Sequence, residues 1–293
     1  MNVFKEGIMK KVIFVVSFAL ILVSGLMPWN CLAGQFDASA IPGGAFCLKI
    51  HPKVFVTSAR FDDSGKAVNL IHVSQLSYVD NQFELYYGIT NSLMAGALLP
   101  VGYIRESYAA EESSCITKVK NPWIIIKHQF WSEVVLAASS LRVKLPITEI
   151  EPQEGLDMDD KQVDIYPVYY FDWQMSLLPA YIYGQIGYKY RMESKDQIKP
   201  SDELKLLVET GYAIVPGIVR MFTISDYTKF FGGEINGERD ELSEGYLYTI
   251  AAGVRFRLGR DLMVEVLTNA NPFGRNQFRG IGGHVGIKYV LGA

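Results

Sequence analysis

Cysteine is scarce in this chain. Only Cys31, Cys47 and Cys115 occur in 293 residues, too few for a disulfide framework and without metal-ligand spacing. The four histidines show no paired metal spacing either, so no metal site and no cofactor is expected. No glycine-rich segment follows a strand pattern and opens a helix. Gly232-Gly233 and Gly282-Gly283 are strand or loop glycines rather than a phosphate cradle. A net charge of −3 excludes a strongly basic nucleic-acid binder and supplies no long-range steering field. Beyond the N-terminal region no stretch reaches about 18 consecutive apolar residues, so no later segment spans a membrane as a helix.

Apolar and aromatic side chains are plentiful. The chain is 49% hydrophobic with 17 Tyr and 16 Phe, and its mean hydropathy is +0.12. Met9-Lys10-Lys11 precedes the apolar run Val12 to Val23, and small residues follow near Cys31-Leu32-Ala33. A charged flank, a short apolar core and a small-residue cleavage point predict a cleaved signal peptide over residues 1–33. Pro28-Trp29-Asn30 ahead of Cys31 lacks the small residues that a lipoprotein site prefers. Residues 34–293 are then the mature domain.

The clearest pattern in that domain lies between Tyr246 and Leu267. Tyr246, Tyr248, Ile250, Ala252, Val254, Phe256 and Leu258 share one parity, while Leu247, Thr249, Ala251, Gly253, Arg255 and Arg257 share the other. Side chains alternate faces along a strand, so one face is an apolar band and the other is small and cationic. Gly259-Arg260-Asp261 turns the chain, after which Leu262, Val264 and Val266 resume the apolar face opposite Met263 and Glu265. Apolar residues outward, polar residues inward and aromatics at the ends of the band form the pattern of a transmembrane β-barrel strand.

Similar hairpins repeat from Ala45 to Leu291. The expectation is an all-β fold: a transmembrane antiparallel β-barrel of about 12 strands, with short turns alternating with long loops. The long strand after Val68 is expected to bend at Asp80-Asn81, where turn residues interrupt its alternation. Glu106 to Lys120, Pro146 to Lys161, Glu193 to Ser201, Thr228 to Gly245 and Asn269 to Gly280 are expected as loops. Ile218 to Tyr227 is a strand whose parity is the least clear. The aromatic-containing last strand suits recognition by barrel-assembly machinery, although Gly292-Ala293 replaces a terminal aromatic.

Several short stretches are shared with a known family: Pro42-Gly43-Gly44, Arg60-Phe61-Asp62-Asp63-Ser64-Gly65, Tyr87-Gly88-Ile89-Thr90-Asn91, Lys144-Leu145-Pro146 and Gly274-Arg275-Asn276. In these the chain resembles the outer-membrane β-barrel family of phenol-degradation meta-pathway proteins, transporters within the fatty-acid-transporter-like group. The Lys-Leu-Pro stretch lacks the following Thr-Gly, and the chain end differs. The resemblance implies a barrel in the outer membrane of a Gram-negative bacterium, in contact with its lipid, that takes up small apolar or aromatic compounds. It carries no catalytic residues across.

Two sets of residues could carry function. Lys49, Lys53, Lys127, Arg142, Lys144, Lys189, Lys205, Arg220, Arg255, Arg257 and Lys288 have inward parity, and Asp164, Asp172, Glu209 and Glu265 join them. They would line a lumen that guides a solute, arginine pairing with carboxylates and stacking on rings. They would equally form an ion-pair lattice that fills a narrow barrel. The second set is His72 and Ser74, which share a strand face as the start of a nucleophile–base pair, with Asn81 or Glu84 as candidates for the third role. Tyr181, Tyr183, Tyr188, Tyr190, Tyr86, Tyr87, Trp123, Trp131 and Trp173 suit an interfacial aromatic girdle, or else a slide for an aromatic solute. Three functions follow: passage of a small apolar or aromatic solute, hydrolysis of lipid by His72 and Ser74, or a structural or surface-interaction barrel with a filled lumen. Passage accounts for most of the pattern, and the expectation is a non-enzyme.

Overall fold

The computed structural model describes residues 39–70, 73–108, 113–132, 135–146, 162–175, 178–194 and 197–292. The expected signal peptide, most of the acidic loop after Pro146 and His72 lie outside the described residues. Among the described residues no helix is long and apolar enough to cross a membrane. The described residues form fifteen strands, in chain order. They are β1 (Phe46–Phe61), β2 (Ala67–Asn69), β3 (Val73–Gly88), β4 (Leu93–Tyr108) and β5 (Ser113–Val119). Next come β6 (Trp123–Ser132), β7 (Val135–Lys144), β8 (Asp164–Gln174), β9 (Ala180–Arg191) and β10 (Ile198–Lys199). The remaining five are β11 (Glu203–Val215), β12 (Val219–Ile235), β13 (Glu238–Leu258), β14 (Leu262–Arg275) and β15 (Phe278–Leu291).

Twelve of these form a ring in the order β12-β11-β9-β8-β7-β6-β4-β3-β1-β15-β14-β13, and pairing of β13 with β12 closes it. All ladders are antiparallel. Short β2, β5 and β10 add to β1, β4 and β12 outside the ring. Closure leaves the ring no free edge, as hydrocarbon requires of any spanning sheet.

β8 shows the logic of the wall. Asp164, Tyr166, Val168, Tyr170 and Asp172 are buried, while Pro167, Tyr169, Phe171 and Trp173 between them are exposed. The same alternation around the ring leaves a continuous apolar exterior, with Ile126 51%, Tyr169 59% and Ile281 67% exposed. Soluble monomers rarely expose apolar patches beyond a few hundred Å², so this exterior requires lipid. The chain is an outer-membrane-type β-barrel.

Connections alternate by end. β3–β4, β6–β7, β8–β9, β11–β12 and β13–β14 are joined by short turns at the end that also holds both the start of β1 and the end of β15. The longer excursions lie at the opposite end, the side such barrels turn outward.

Four expectations are corrected. β3 runs unbroken through Asp80 and Asn81, which pair with Lys53 and Pro52 of β1. Asp80 faces the lumen and bonds Lys120, so the polar pair is an inward side chain followed by an outward one and not a turn. Thr228 to Gly245 is no loop: β12 and β13 extend beyond the apolar belt as a hairpin, closed at Asn236-Gly237 with φ of 53° and 80°. Two consecutive positive φ values with Asn-Gly match the two-residue turn whose twist suits a hairpin. Asn269 to Gly280 is likewise mostly strand, turning at Asn276-Gln277 with Asn276 at φ 52°. The polar segment 106–120 contains β5, laid against β4 from Val101 to Ser107.

Candidate functional site: the barrel lumen

Inward side chains from all around the wall enclose a cavity of about 610 Å³. Its lining mixes cations (Lys53, Lys120, Arg142, Lys189, Lys205, Arg255) with carboxylates (Asp80, Glu84, Glu203, Glu209, Glu265). Apolar and aromatic groups (Leu98, Pro100, Trp123, Tyr166, Tyr183, Leu207, Ile224, Phe230) share it with the neutral polar groups Gln82, Gln185 and Thr228 and with His51 and His284. Bare charges in a low-dielectric lumen are costly, so ion pairs or water must answer them.

The ion pairs fall into four groups. On the β1–β3 wall, Lys49 lies 3.7 Å from Glu84, whose carboxylate also accepts from the Tyr86 hydroxyl at 2.6 Å. Higher on that wall Lys53 donates to Gln82 at 3.0 Å, Gln82 donates to Asp80, and Lys120 reaches Asp80 at 3.1 Å. Lys120 also donates to the Tyr78 hydroxyl. On β7 and β8, Lys144 pairs with Asp164 at 3.2 Å, and Arg142 donates to the Tyr170 hydroxyl at 2.8 Å. On β9, β11 and β12, Glu203 accepts from both Lys189 (3.0 Å) and Arg191, and Lys205 pairs with Asp226 at 2.8 Å.

The fourth group ties strands that are not adjacent in the ring. Arg255 of β13 donates through Nη1 to Glu209 Oε1 of β11 at 3.1 Å and through Nε to Glu265 Oε2 of β14 at 2.7 Å. Tyr181 of β9 donates to Glu209 at 2.5 Å, and His284 Nε2 of β15 lies 3.0 Å from Glu265. Arg255 also covers the Phe222 ring at 4.6 Å. One guanidinium thus knits β9, β11, β13, β14 and β15 into a single lattice. Its planar fork suits two carboxylates better than an ammonium would.

Other residues of inward parity are placed as follows. Asp172 is buried on β8 in the field of Arg220 and Arg255. Lys288 is buried opposite Lys49 across the β1–β15 ladder. Lys127 donates to the Ser39 carbonyl at 3.2 Å. Arg257 stands apart from the cavity and binds the Gly259 and Arg260 carbonyls of the β13–β14 turn, each at 3.2 Å.

The aromatic set divides. Tyr87, Trp131, Trp173, Tyr188 and Tyr190 are exposed on the exterior, whereas Tyr86, Tyr181 and Tyr183 are buried inside and Trp123 lines the cavity. Tyr166, Tyr170 and Phe222, absent from the sequence-derived candidates, complete an interior aromatic cluster with Val168 and Leu267. Parity carried the signal: Tyr181 and Tyr183 share the face of Gln185 and Lys189, as Tyr166 and Tyr170 share that of Asp164.

Residues 39–45, ahead of β1, fold into the short-turn end. Ile41 is buried against Cys47, Tyr86, Met94, Leu98 and Ile125, all on the inner wall. The Ala40 amide donates to Gln129 Oε1 at 2.8 Å and the Gly43 amide to Asn91 Oδ1 at 3.0 Å. Gly44 donates to the Gly88 carbonyl at 2.8 Å, and Gly88 donates back to Ala45 at 2.9 Å. A Cβ on Gly88 would lie 2.0 Å from the Pro42 oxygen, so glycine is what lets the segment seat there.

The hydrolase reading gains no geometry. Ser74 is exposed and its hydroxyl donates to the Ser107 carbonyl at 2.7 Å. Glu84 faces the lumen beside Lys49 and Tyr86, and Asn81 lies on the opposite face of β3.

No family profile matches the chain, and no curated protein matches it in sequence. Solved structures do match. The COG4313 outer membrane channel from Pseudomonas putida F1 superposes with a TM-score of 0.75 at 12% identity, over 88% of this chain and all of that one (100%). The KdgM porin gives 0.45 at 6% identity over 83% of this chain and 98% of that chain. The CymD monoaromatic hydrocarbon channel gives 0.44 at 6% over 86% and 91%. The first of these establishes the likeness of fold.

Proposed function

We propose that this barrel passes a small, apolar or aromatic solute across the outer membrane of a Gram-negative bacterium, down its gradient and without a covalent step. The observation that carries the reading is the cavity of about 610 Å³ inside a closed, lipid-facing ring, lined by aromatics as well as ion pairs. A barrel with a purely structural role has no need of that space, since narrow barrels fill with side chains. The volume lies within the range of small-molecule sites, and Trp123, Tyr166, Tyr183 and Phe230 offer flat surfaces to a ring. The fold shared with an outer-membrane channel supports the same reading, as do the short stretches resembling the phenol-degradation family.

The lattice around Arg255 and the inserted residues 39–45 narrow the short-turn end, so passage is slow and selective, unlike that of an open porin. Reconstitution into liposomes and planar bilayers tests this. Swelling by small solutes and a small, reproducible conductance are expected. Absence of flux for every solute at every potential would instead establish a filled, structural barrel, the reading that the Arg255 lattice favours.

A further inference from the structure

We propose that His51 and His284 form a proton-operated selectivity switch in the lumen wall, shifting the passage from cations towards anions as the medium turns acid. This rests on the barrel being a passage, and it names a regulation of that passage.

Both side chains line the cavity, on the neighbouring strands β1 and β15. Their ring centres lie 5.8 Å apart, one ring edge-on to the other at 72°. Gly286 makes room for them. A Cβ there would lie 3.2 Å from His51 Nδ1 and 3.4 Å from His284 Nε2. A side chain at 286 would crowd both rings, whereas glycine lets their nitrogens converge on one point of bare wall. His284 Nε2 is buried and, among the described residues, has no hydrogen-bond partner. Glu265 Oε1 stands 3.0 Å from it, an ion-pair distance without the alignment of a hydrogen bond. Arg255 already holds the other oxygen of that carboxylate, which fixes Oε1 beside the imidazole. A protonated ring answers it with a charge-assisted pair.

Histidine is the side chain whose ordinary titration falls between about pH 5 and 8, while ordinary carboxylates keep their charge down to about pH 5. The groups that face the pair carry charge of both signs. On β1, Lys49 and Lys53 share the face of His51, and Lys53 is opposite His284 in the ladder. On β3, Asp80 and Glu84 flank Gln82, the ladder partner of His51. Lys288 lies beyond Gly286 on β15 itself, and Glu265 of β14 is opposite Gly286 and, on its other side, Arg255 of β13. Protonation adds two positive charges at this level, and Glu265, shared with Arg255, takes up one of them. A narrow lumen with low-dielectric walls focuses such charge, so potassium meets a barrier and chloride is drawn in. His128, by contrast, is exposed beside Phe130 on the lipid-facing side and acts outside the lumen.

The test is ion selectivity against pH. The purified barrel in a planar bilayer is placed under a potassium chloride gradient, and the reversal potential is read from about pH 8 to about pH 5. The chloride-to-potassium permeability ratio is expected to rise about threefold or more across that range. His51→Gln with His284→Gln is expected to flatten the response. His284→Arg, charged at every pH, is expected to raise the ratio already at about pH 8. A flat response in the parent, or the parent's response in the folded double variant, would each overturn the switch. Loss of the response in Asp172→Asn together with its survival in the double variant would move it to that buried carboxylate, which lies in the field of the same Arg255, and overturn it likewise. Should the double variant not fold, the parent and His284→Arg decide alone, and an unraised ratio in the latter refutes the switch. A barrel that conducts with one ratio at every pH loses the switch and keeps the passage. One that conducts nothing at any pH loses the passage, and the switch with it.

Discussion

Gly88→Ala should open the lumen from the short-turn end. Gly88 is not among the glycines held at positive φ, so alanine meets no backbone penalty of its own. The new methyl would lie 2.0 Å from the Pro42 oxygen, 2.9 Å from the Pro42 carbonyl carbon and 3.0 Å from the Ile41 oxygen. These are backbone atoms and cannot rotate away. Restoring ordinary contact requires the segment to withdraw by more than an ångström, which breaks the paired bonds between Gly44, Gly88 and Ala45 and lifts Ile41 from its pocket. Two hydrogen bonds at about 1 kcal/mol each, with part of the roughly 1.5–3 kcal/mol of a buried isoleucine, weaken the docking by roughly 3–4 kcal/mol. At about 1.4 kcal/mol per tenfold the undocked population rises by two to three orders of magnitude.

Single-channel recording in planar bilayers reads this directly. A larger conductance, or far more frequent opening, is expected beside the parent protein. Protease access to residues 39–45 should rise in parallel. Resistance of the barrel to detergent unfolding controls for the fold, because Gly88 keeps its pairing with Met94 in the β3–β4 ladder. A folded variant with unchanged conductance and unchanged protease access would refute the reasoning, since the segment would then be neither displaced nor the constriction.

Three further outcomes are expected. Arg255→Met strips the guanidinium from Glu209 and Glu265 together, leaving Tyr181 on the one and His284 on the other, and breaking a buried pair in this way costs about 3–5 kcal/mol. The urea midpoint of the barrel should fall, adding Glu265→Gln should recover part of the loss, and an unchanged midpoint would show that the lattice contributes nothing. At the tip of the β1–β2 turn, Asp62 accepts from the Ser64 hydroxyl (2.7 Å) and from the Ser64 and Lys66 amides. These bonds, the Ser64 hydroxyl first, hold its carboxyl below the ordinary 3.8. A depressed carboxylate stabilises the turn above the unfolded value and ceases to do so as pH falls through the folded one. Carbon-13 titration of Asp62 should therefore show a midpoint under 3.8, with Ser64 and Lys66 amide exchange rising below it, and a midpoint at or above that value would contradict the turn geometry. Gly237→Val places a β-branched residue at φ 80°, a conformation costing an L-residue roughly 1–2 kcal/mol. Amide protection in the outer part of the β12–β13 hairpin should drop while that of the ring strands holds.

What the sequence disclosed and what it hid have one physical cause. Period-two alternation is written by the contrast between lipid and lumen, so it is sharp wherever a strand separates the two, as from Asp164 to Gln174. Above the lipid both faces of a strand meet water, and the contrast vanishes although the hydrogen-bond ladder continues. That is why Thr228 to Gly245 looks like a loop and is a hairpin, and why Asn269 to Gly280 does too. In both places a turn residue suited to positive φ, Asn236 with Gly237 or Asn276, was the remaining local sign. Inward parity likewise places a charge on the right face but says nothing about its partner. Arg255 meets Glu209, 46 positions away, because the β11–β12 and β12–β13 hairpins set β11 and β13 on either side of β12. Tyr181 reaches the same carboxylate from β9. Strand stagger and closure fix those contacts, and both belong to the whole ring rather than to any stretch of residues. The segment at Ile41-Pro42 is hidden for the same reason. One counterpart in the sequence is a glycine 46 positions on from Pro42, and Gly88 owes its identity to a chain that passes 2.0 Å from where its Cβ would be.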